Sequence, residues 1–168
     1  MKEVDDLLNS SNVLDENVQN AVLKYSQSII RIAFNYVKNT DVAEDISQDV
    51  FLTYMQKLPR FESDEHEKAW LIRVTINKSK NYFKAGWFSR KVPLPENLSY
   101  MPKEQSEVLN AVLELDERYR LPIHLFYYEG YSIQEIADIL QAKPATVGTW
   151  LARGRSLLKD KIGGFENE

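Results

Sequence analysis

Several residue types and patterns are missing from this sequence of 168 residues. It contains no cysteine, which excludes disulfide bonds and thiolate metal sites and agrees with a reducing compartment. No apolar run approaches the roughly 20 residues that a membrane-spanning helix needs. The first residues, MKEVDDLLNSSN, lack the apolar centre of a signal peptide. We therefore expect a soluble protein that stays in the cytoplasm.

Histidine and glycine are scarce, and their placement argues against an enzyme. The two histidines, His66 and His124, lie far apart in the chain and belong to no nucleophile signature. None of the 6 glycines forms a phosphate-binding loop motif. Without a convergent set of titratable residues, we expect no enzymatic activity, no cofactor, no metal ion and no small-molecule substrate. His124 is better explained as a packed helix residue.

The formal net charge of -4 hides a strong asymmetry along the chain. Residues 1–67 hold 13 acidic and 6 basic side chains, whereas residues 68–95 hold 7 basic and no acidic ones. Residues 96–141 return to 9 acidic against 3 basic, and residues 142–168 hold 5 basic against 3 acidic. Two segments are therefore suited to a polyanion, and the other two to basic partners.

Apolar residues recur at helical spacing along most of the chain, which predicts an all-α protein. We expect a first helix over about 18–37 and a second from a cap at Thr40 or Asp41 to Leu58, where Pro59 stops it. After the polar loop RFESDEHEK, a third helix should cover 69–84.

The segment AGWFSRKVPLPENLSYMPKEQ interrupts the helical period with one glycine and three prolines, which predicts an extended linker. The second domain should begin near Ser106, and Gly130 should end its first helical segment as a C-cap. The predicted organisation is two small helical domains joined by this linker. Its parts are an N-terminal tail (1–14), a helical domain (15–86), the linker (87–104), a second helical domain (105–164) and a terminal tail (165–168).

The segment YSIQEIADILQAKPATVGTWLARGRSLLK has the pattern of a helix-turn-helix. Ser132 and Glu135 form a capping-box pair at the start of its first helix, and Pro144 suits the first turn of its second. At 100° per residue the second helix should bury Val147, Leu151, Gly154 and Leu158, with Trp150 packed beside this stripe at the domain edge. The opposite face has small and hydroxyl-bearing side chains and one arginine, and a face of this kind can enter a DNA major groove. It consists of Ala145, Thr149, Ala152, Arg153 and Ser156, flanked by Thr146, Gly148 and Lys159.

An acidic stripe is predicted on the second helix. Asp41, Glu44, Asp45, Gln48 and Asp49 lie three to four residues apart, so most of them share one helical side. Such a stripe is either a solvated face or a surface for a partner. Phe51 and Ile46 beside the stripe favour a partner helix.

Three blocks of sequence carry a resemblance to a known family. They are DVAEDISQDVF, then RFESDEHEKAWLIRVTINKSKNYFK, then LDERYRLPIHLFYYEGYSIQEIADIL followed by TVGTWLARGR. In this order and at this length the chain resembles an extracytoplasmic-function (ECF, group 4) sigma factor of the sigma-70 family, a promoter-recognition subunit of bacterial RNA polymerase. The resemblance extends from about Tyr25 to Lys161. It implies that residues 15–86 are sigma region 2 and residues 105–164 are sigma region 4.

The resemblance also implies roles for individual residues. The first block would bind core polymerase through Asp41, Glu44, Asp45, Gln48, Asp49 and Phe51. The second would bind and open the minus-ten element through Phe61, Trp70, Arg73, Asn77, Lys80, Asn81 and Lys84, with a flipped base held by the loop over 62–68. The third would read the minus-thirty-five element through Thr146, Gly148, Thr149, Ala152, Arg153 and Arg155.

The partners implied by the resemblance are core RNA polymerase, promoter DNA and an anti-sigma factor. The polymerase would be bound at the coiled coil of its largest subunit and at its flap region. DNA would be bound both as duplex and as a single strand, and the anti-sigma factor is often membrane-bound. The alternative is an autonomous helix-turn-helix regulator with a helical sensor or dimerisation domain. It leaves the acidic stripe, and the aromatic and basic residues of the second block, without a role.

Overall fold

The computed structural model describes residues 2–84 and 103–163, and within these ranges the chain is helical and contains no strand. The prediction of an all-α protein is confirmed. A π-helical turn, His124–Tyr128, directly follows the helix Glu117–Ile123. Most of the predicted linker and the tail 165–168 lie outside the described residues. The helices are α1 (Lys2–Val37), α2 (Thr40–Lys57), α3 (Asp64–Lys84), α4 (Lys103–Leu113), α5 (Glu117–Ile123), α6 (Ile133–Leu140) and α7 (Pro144–Gly163).

The helices α1, α2 and α3 pack together as an N-terminal unit. Each contributes apolar residues spaced three or four positions apart, which a helix places on one side. Asn39 is the N-cap of α2, one residue before the predicted cap, and its Oδ1 accepts the Val42 N–H at 3.0 Å. The helix α2 ends before Pro59, as predicted, and its C-cap Leu58 has left-handed backbone. The fully buried residues of this unit include Ile29, Ile32, Val37, Val50, Leu71 and Ile72.

Two boundaries in the N-terminal unit differ from the prediction. The helix α1 begins at Lys2, so residues 2–14, predicted as a tail, are helical. No glycine or proline precedes Pro59, so no helix breaker separates these residues from the apolar pattern that follows. The prediction of a polar loop was wrong for residues 64–68, because α3 begins at Asp64. Acidic residues in its first turn suit the positive end of the helix.

The helices α4 to α7 form a C-terminal unit in which most local predictions are confirmed. Ser132 and Glu135 make the capping box of α6, with each side chain accepting the other residue's backbone N–H. Gly130 adopts a φ of +75° after the π-helical turn, a conformation that favours glycine. Pro144 is the first residue of α7. Of the predicted stripe of α7, Val147, Leu151 and Gly154 are buried, and Leu158 is half-buried against the core.

The two units pack against each other, and their buried apolar residues form one continuous cluster. At this contact, called the seam below, α1 meets α5 and α3 meets α6. Arg120 is 5% exposed, and its Nε donates to Asn35 Oδ1 of α1 at 3.0 Å. Its Nη1 donates to the carbonyl oxygens of Leu113 and Leu115 at 3.0 and 2.8 Å. The seam therefore contains a buried charge whose hydrogen bonds come from both units.

Two glycines of α7 lie in opposite surroundings. A Cβ on Gly154 would lie 2.4 Å from Ile123 Cδ1 and 3.2 Å from its Cγ1, so this glycine lets α7 cross α5 closely. Ile123 is 5% exposed and has little room to move aside. A Cβ on Gly148 would meet nothing within 4 Å. Packing therefore disfavours a larger residue at position 154, where Ile123 would have to shift, and leaves position 148 free to vary.

We expect Gly154→Ala to lower the free energy of unfolding by about 1–3 kcal/mol, because it overpacks the crossing of α5 and α7. Gly148→Ala is the matched control and should raise the same free energy by up to about 1 kcal/mol through helix propensity alone. Urea denaturation followed by circular dichroism measures both values. Equal stabilities of the two variants would contradict the close crossing.

Candidate nucleic-acid interface

One side of α3 presents cations and amides to solvent. Arg73, Asn77, Lys80, Asn81 and Lys84 are all exposed. At 100° per residue they fall within an arc of about 100°, so they form a single face. This α3 face joins groups that neutralise phosphate to groups that hydrogen-bond base edges, which is the chemistry needed to hold a nucleic-acid strand.

Two other cations of the basic run, residues 68–95, do not belong to the α3 face. Lys68 Nζ lies 2.9 Å from Glu129 Oε2 at the seam. Lys78 Nζ points toward α2, at 3.9 Å from Asp49 Oδ2. The positive charge available to a nucleic acid within the described part of this run is therefore smaller than the sequence count indicates. Arg90, Lys91 and the aromatic residues Trp87 and Phe88 lie outside the described residues.

The aromatic residues at the start of α3 pack on one another. Phe61 and Trp70 are half-buried, with ring centroids 5.8 Å apart, and each also contacts the ring of Tyr54 at 5.9 and 6.0 Å. His66 approaches the Phe61 ring edge-on at 5.5 Å. Phe61 and Trp70, predicted to contact the minus-ten element, are therefore held in this cluster against the core. The structure does not place them on the exposed α3 face.

The acidic residues at the start of α3 have internal partners. Tyr54 donates its hydroxyl to Glu67 Oε1 at 2.7 Å, and Lys24 pairs with Asp64 at 3.2 Å. Burial, together with the Glu67 carboxylate, raises the pKa of Tyr54 above its ordinary value. Tyr25 donates to the Asp64 carbonyl oxygen at 3.3 Å. The predicted base-holding loop over 62–68 is thus mostly the anchored first turn of a helix.

The outer side of α7 is exposed as predicted. Ala145, Thr149, Ala152 and Arg153 lie opposite the buried stripe and face solvent. The Thr149 hydroxyl donates to the Ala145 carbonyl oxygen at 3.0 Å, so only its acceptor capacity and its methyl group remain for a ligand. We call these residues, together with Ser156, the α7 face.

The remaining predicted readers of α7 lie at the sides of this face. Thr146 and Gly148 are half-buried. Arg155 is exposed, and its Nη1 donates to the Tyr127 hydroxyl at 3.1 Å. Trp150 is half-buried and packs against the core at the seam, which confirms its predicted position at the domain edge.

The exposed side of α2 combines acidic and apolar residues. Asp41, Glu44, Asp45, Gln48 and Asp49 are exposed, as predicted. Phe51 and Ile46 are only 7% and 6% exposed and point into the core, so their predicted contact with a partner was wrong. Leu52 and Met55 are instead 51% and 47% exposed.

The exposed apolar residues extend the acidic stripe. At 100° per residue, Leu52 and Met55 fall on the same side of α2 as Asp41 and Asp45, about two to four turns farther along. We call the five stripe residues with Leu52 and Met55 the α2 face. Leu52 and Met55 were not among the predicted docking residues, although the helical period that groups the acidic residues also includes them.

Within the described residues, no three acidic or histidine side chains converge as metal ligands would. No described helix has the length and hydropathy required to cross a bilayer.

Comparison with known proteins identifies both units. A family model described as Sigma-70 region 2 matches residues 21–88, and one described as Sigma-70, region 4 matches residues 98–158. The first match includes α2, α3 and the part of α1 from residue 21 onward. The second includes α4, α5, α6 and most of α7.

Individual relatives match over most of the chain. The ECF RNA polymerase sigma-E factor of Escherichia coli (strain K12) is 26% identical, with 84% of each chain covered. The RNA polymerase sigma-H factor of Pseudomonas aeruginosa is 24% identical, with 82% of this chain and 81% of that protein covered. Among solved structures, the sigma factor RpoE of Bartonella quintana, crystallised with the anti-sigma factor NepR, superposes with a TM-score of 0.73 at 21% identity. That match covers 88% of this chain and 98% of the other.

Proposed function

We propose a separate role for each unit, since the chain belongs to the extracytoplasmic-function group of the sigma-70 family. Members of this family bind core RNA polymerase and direct promoter-specific initiation. The N-terminal unit docks on core polymerase and opens the minus-ten element. The C-terminal unit reads the minus-thirty-five element as duplex DNA. We assign the first role to residues 15–86 and the second to residues 105–164.

The observation that carries this division is that three exposed faces of different chemistry lie on three different helices. The α3 face is cationic and rich in amides, the α7 face is small and carries Arg153, and the α2 face is acidic and apolar. The chemistry of the α3 face suits a strand with exposed bases, and that of the α7 face suits a duplex groove. The chemistry of the α2 face suits a protein surface.

The α3 face is suited to the separated strand of the minus-ten element. Arg73, Lys80 and Lys84 neutralise phosphates, while Asn77 and Asn81 hydrogen-bond base edges. Phe61 and Trp70 support this face from the core side by fixing the start of α3 against α2. Their role is positioning, with direct base contact left to the exposed residues.

The α7 face is suited to the duplex. Ala145, Thr149 and Ala152 are small enough to let the helix enter a major groove, and Arg153 is free to contact guanine or phosphate. Gly148 offers no side chain where a basic residue would add a phosphate contact. The unit therefore binds weakly by itself, and polymerase raises its effective concentration at the promoter.

The α2 face binds the coiled coil of the largest polymerase subunit, and the C-terminal unit contacts the flap region. Acidic residues at one end of the face select a basic partner, and Leu52 and Met55 at the other end supply apolar area. This replaces Phe51 with Leu52 and Met55 as the apolar contacts of the docking surface.

The remaining assignments follow from the family. The chain has no enzymatic activity of its own and requires no cofactor, since transcription catalysis belongs to the polymerase. It acts in the cytoplasm, where its partners are core polymerase, promoter DNA and an anti-sigma factor of the kind that this family often has bound to a membrane.

Run-off transcription with core polymerase on a promoter library tests the proposal and also yields the promoter sequence. Initiation at defined sites only when the full-length chain is added is the expected result. A gel shift of duplex DNA by the chain alone, without initiation in the presence of core polymerase, would instead favour an autonomous helix-turn-helix regulator.

On a promoter found in this way, Arg153→Ala should reduce initiation by about tenfold, since a good arginine contact is worth 1–3 kcal/mol. Trp150→Phe is the control, because Trp150 packs at the seam instead of on the α7 face. Initial rates of run-off synthesis measure both effects. The reverse order would show that the reading face of α7 is wrongly assigned.

Leu52→Glu should weaken binding to core polymerase by about tenfold or more, because it places a charge in the apolar part of the α2 face. Leu23→Glu makes the same change at an 83% exposed leucine of α1 and should leave binding unchanged. Fluorescence titration of the labelled full chain with core polymerase gives both dissociation constants. Similar affinities of the two variants would remove Leu52 from the docking surface.

A further inference from the structure

Two consecutive tyrosines of the π-helical turn have exposed rings. Tyr127 is 58% exposed and Tyr128 is 60% exposed, whereas Leu125 is fully buried and Phe126 is half-buried. Leu125 and Phe126 therefore anchor the turn to the core, and most of both tyrosine rings stays in contact with solvent. π-Helical turns are rare and are frequently found at functional sites. Neighbouring exposed rings of this kind indicate a contact surface.

Each of the two tyrosines is paired with an arginine of another helix. The Arg31 guanidinium of α1 lies over the Tyr128 ring, 4.8 Å from its centroid. Arg155 Nη1 of α7 donates to the Tyr127 hydroxyl at 3.1 Å. Both arginines are exposed, and this hydrogen bond uses one of the five N–H groups of Arg155. We call these four residues the tyrosine ridge, which runs from α1 across the π-helical turn to α7.

A buried ion pair supports the ridge from below. The Tyr128 ring stacks on the His124 ring, with centroids 5.1 Å apart and planes inclined by 14°. His124 Nε2 lies 3.3 Å from Glu129 Oε1. The Glu129 side chain is 4% exposed, and its Oε2 lies 2.9 Å from Lys68 Nζ and accepts the Ser28 hydroxyl at 3.0 Å. Tyr128 is therefore held in place before any ligand arrives, which lowers the entropy cost of binding.

The charge along the ridge is positive, although the chain as a whole is acidic. The residues one turn before and after each arginine are neutral or basic, namely Gln27, Ser28, Phe34 and Asn35 on α1, and Leu151, Ala152, Leu158 and Lys159 on α7. Glu129 follows the tyrosines in sequence, but its carboxylate is buried and paired with Lys68. The ridge therefore presents aromatic rings beside unopposed positive charge, which selects an anionic ligand with planar groups.

A single strand of nucleic acid has both of these properties. Its unpaired bases stack on exposed aromatic rings and on guanidinium planes, and its phosphates pair with arginine. Duplex DNA keeps its bases stacked inside the helix, so it offers the rings no base face. An acidic peptide supplies negative charge but few planar groups. The combination of rings and cations on the ridge therefore favours a single strand over either of these ligands.

We propose that the tyrosine ridge is a binding site for a single strand of DNA or RNA, separate from the α3 face. One base stacks on the Tyr127 ring and another on the Arg31–Tyr128 pair, while Arg155 and Arg31 neutralise phosphates. Stacking does not distinguish the two sugars, so DNA and RNA share this chemistry. Arg155 lies at the side of the α7 face, and the proposal assigns it to the ridge instead of to the minus-thirty-five element.

Removal of the two rings tests the site in the full chain. Tyr127→Leu with Tyr128→Leu keeps apolar side chains but cannot stack a base, and should weaken binding of the preferred strand by about tenfold or more. Anisotropy titrations with labelled oligothymidine and oligouridine of about 12 nucleotides identify that strand as DNA, RNA or both. The matched control Val22→Ala with Leu23→Ala, at two consecutive exposed residues of α1, should bind as the unmodified chain does. Unchanged affinity of the tyrosine variant for both oligonucleotides would overturn the proposal.

The salt dependence of binding tests the two arginines and does not depend on the tyrosine variant. Arg31→Gln with Arg155→Gln should lower the slope of log affinity against log salt concentration by about 1.4, since each phosphate contact of a single strand contributes about 0.7. Arg118→Gln is the control, because Arg118 also lies over a tyrosine ring, that of Tyr119 at 5.6 Å, but outside the ridge. It should leave the slope unchanged. An unchanged slope in the ridge variant would show that neither arginine contacts phosphate.

Photo-cross-linking locates the bound strand. Oligonucleotides that carry 4-thiothymidine or 4-thiouridine should label the peptide that contains Tyr127 and Tyr128, as identified by mass spectrometry. Cross-links confined to α3 would place all single-strand binding on the α3 face and overturn the proposal. Polyglutamate that displaces the strand from the ridge as well as unlabelled oligonucleotide does would assign the ridge to an acidic protein segment instead.

The ridge and the proposed function can fail independently, because the binding measurements use the chain without polymerase. A chain that binds a strand through the ridge but never initiates with core polymerase would contradict the proposed function alone. A chain that initiates normally, and whose affinity for both oligonucleotides does not depend on the ridge, would contradict the ridge and leave the proposed function intact.

Discussion

The buried carboxylate of Glu129 is the group on which the arrangement of the two units depends. Burial alone would raise its pKa, but hydrogen bonds from His124, Lys68 and Ser28 outweigh burial and lower the pKa to about 2. The group is therefore ionised at neutral pH and needs its partners from α1 and α3. Arg120, which belongs to the same C-terminal unit, is a second buried charge of this kind, since its guanidinium donates a hydrogen bond to Asn35 of α1. Apolar burial supplies most of the stability, and these two charges select the orientation in which the units meet.

This orientation explains how a chain with a net charge of -4 remains suited to nucleic acid. The acidic residues belong to α2, and the cations of the α3 face belong to α3. Two further cations of α3 form ion pairs within the protein, Lys68 with Glu129 at the seam and Lys78 with Asp49. What remains for a strand is a small set of cations with amides between them. A weak surface of this kind suits a subunit that polymerase delivers to the promoter.

Most of the fold could be predicted from the sequence, because its determinants are local. The capping box of Ser132 and Glu135, the turn at Gly130 and the buried stripe of α7 each depend on residues within two helical turns. The errors also have local causes. The polar start of α3 resembles a loop because its side chains are charged, although acidic residues are favourable in a first turn. Phe51 was placed on the docking surface because it is adjacent to the acidic stripe in sequence, whereas the helical period turns it inward and turns Leu52 outward.

The sequence by itself determined the helical class, the order of the helices, the two domains and the family, since periodicity, caps and motif order are properties of short segments. It also indicated which side of α7 would be buried and where the cations concentrate. Only the tertiary structure decided that Gly154 allows α7 to cross α5, that Lys68 pairs with Glu129, and that the end of α6 lies beside Arg73 and Lys80 of α3. Ser28 and Glu129 are 101 residues apart in the chain. No local pattern connects them, because their contact exists only once both units have formed and have met.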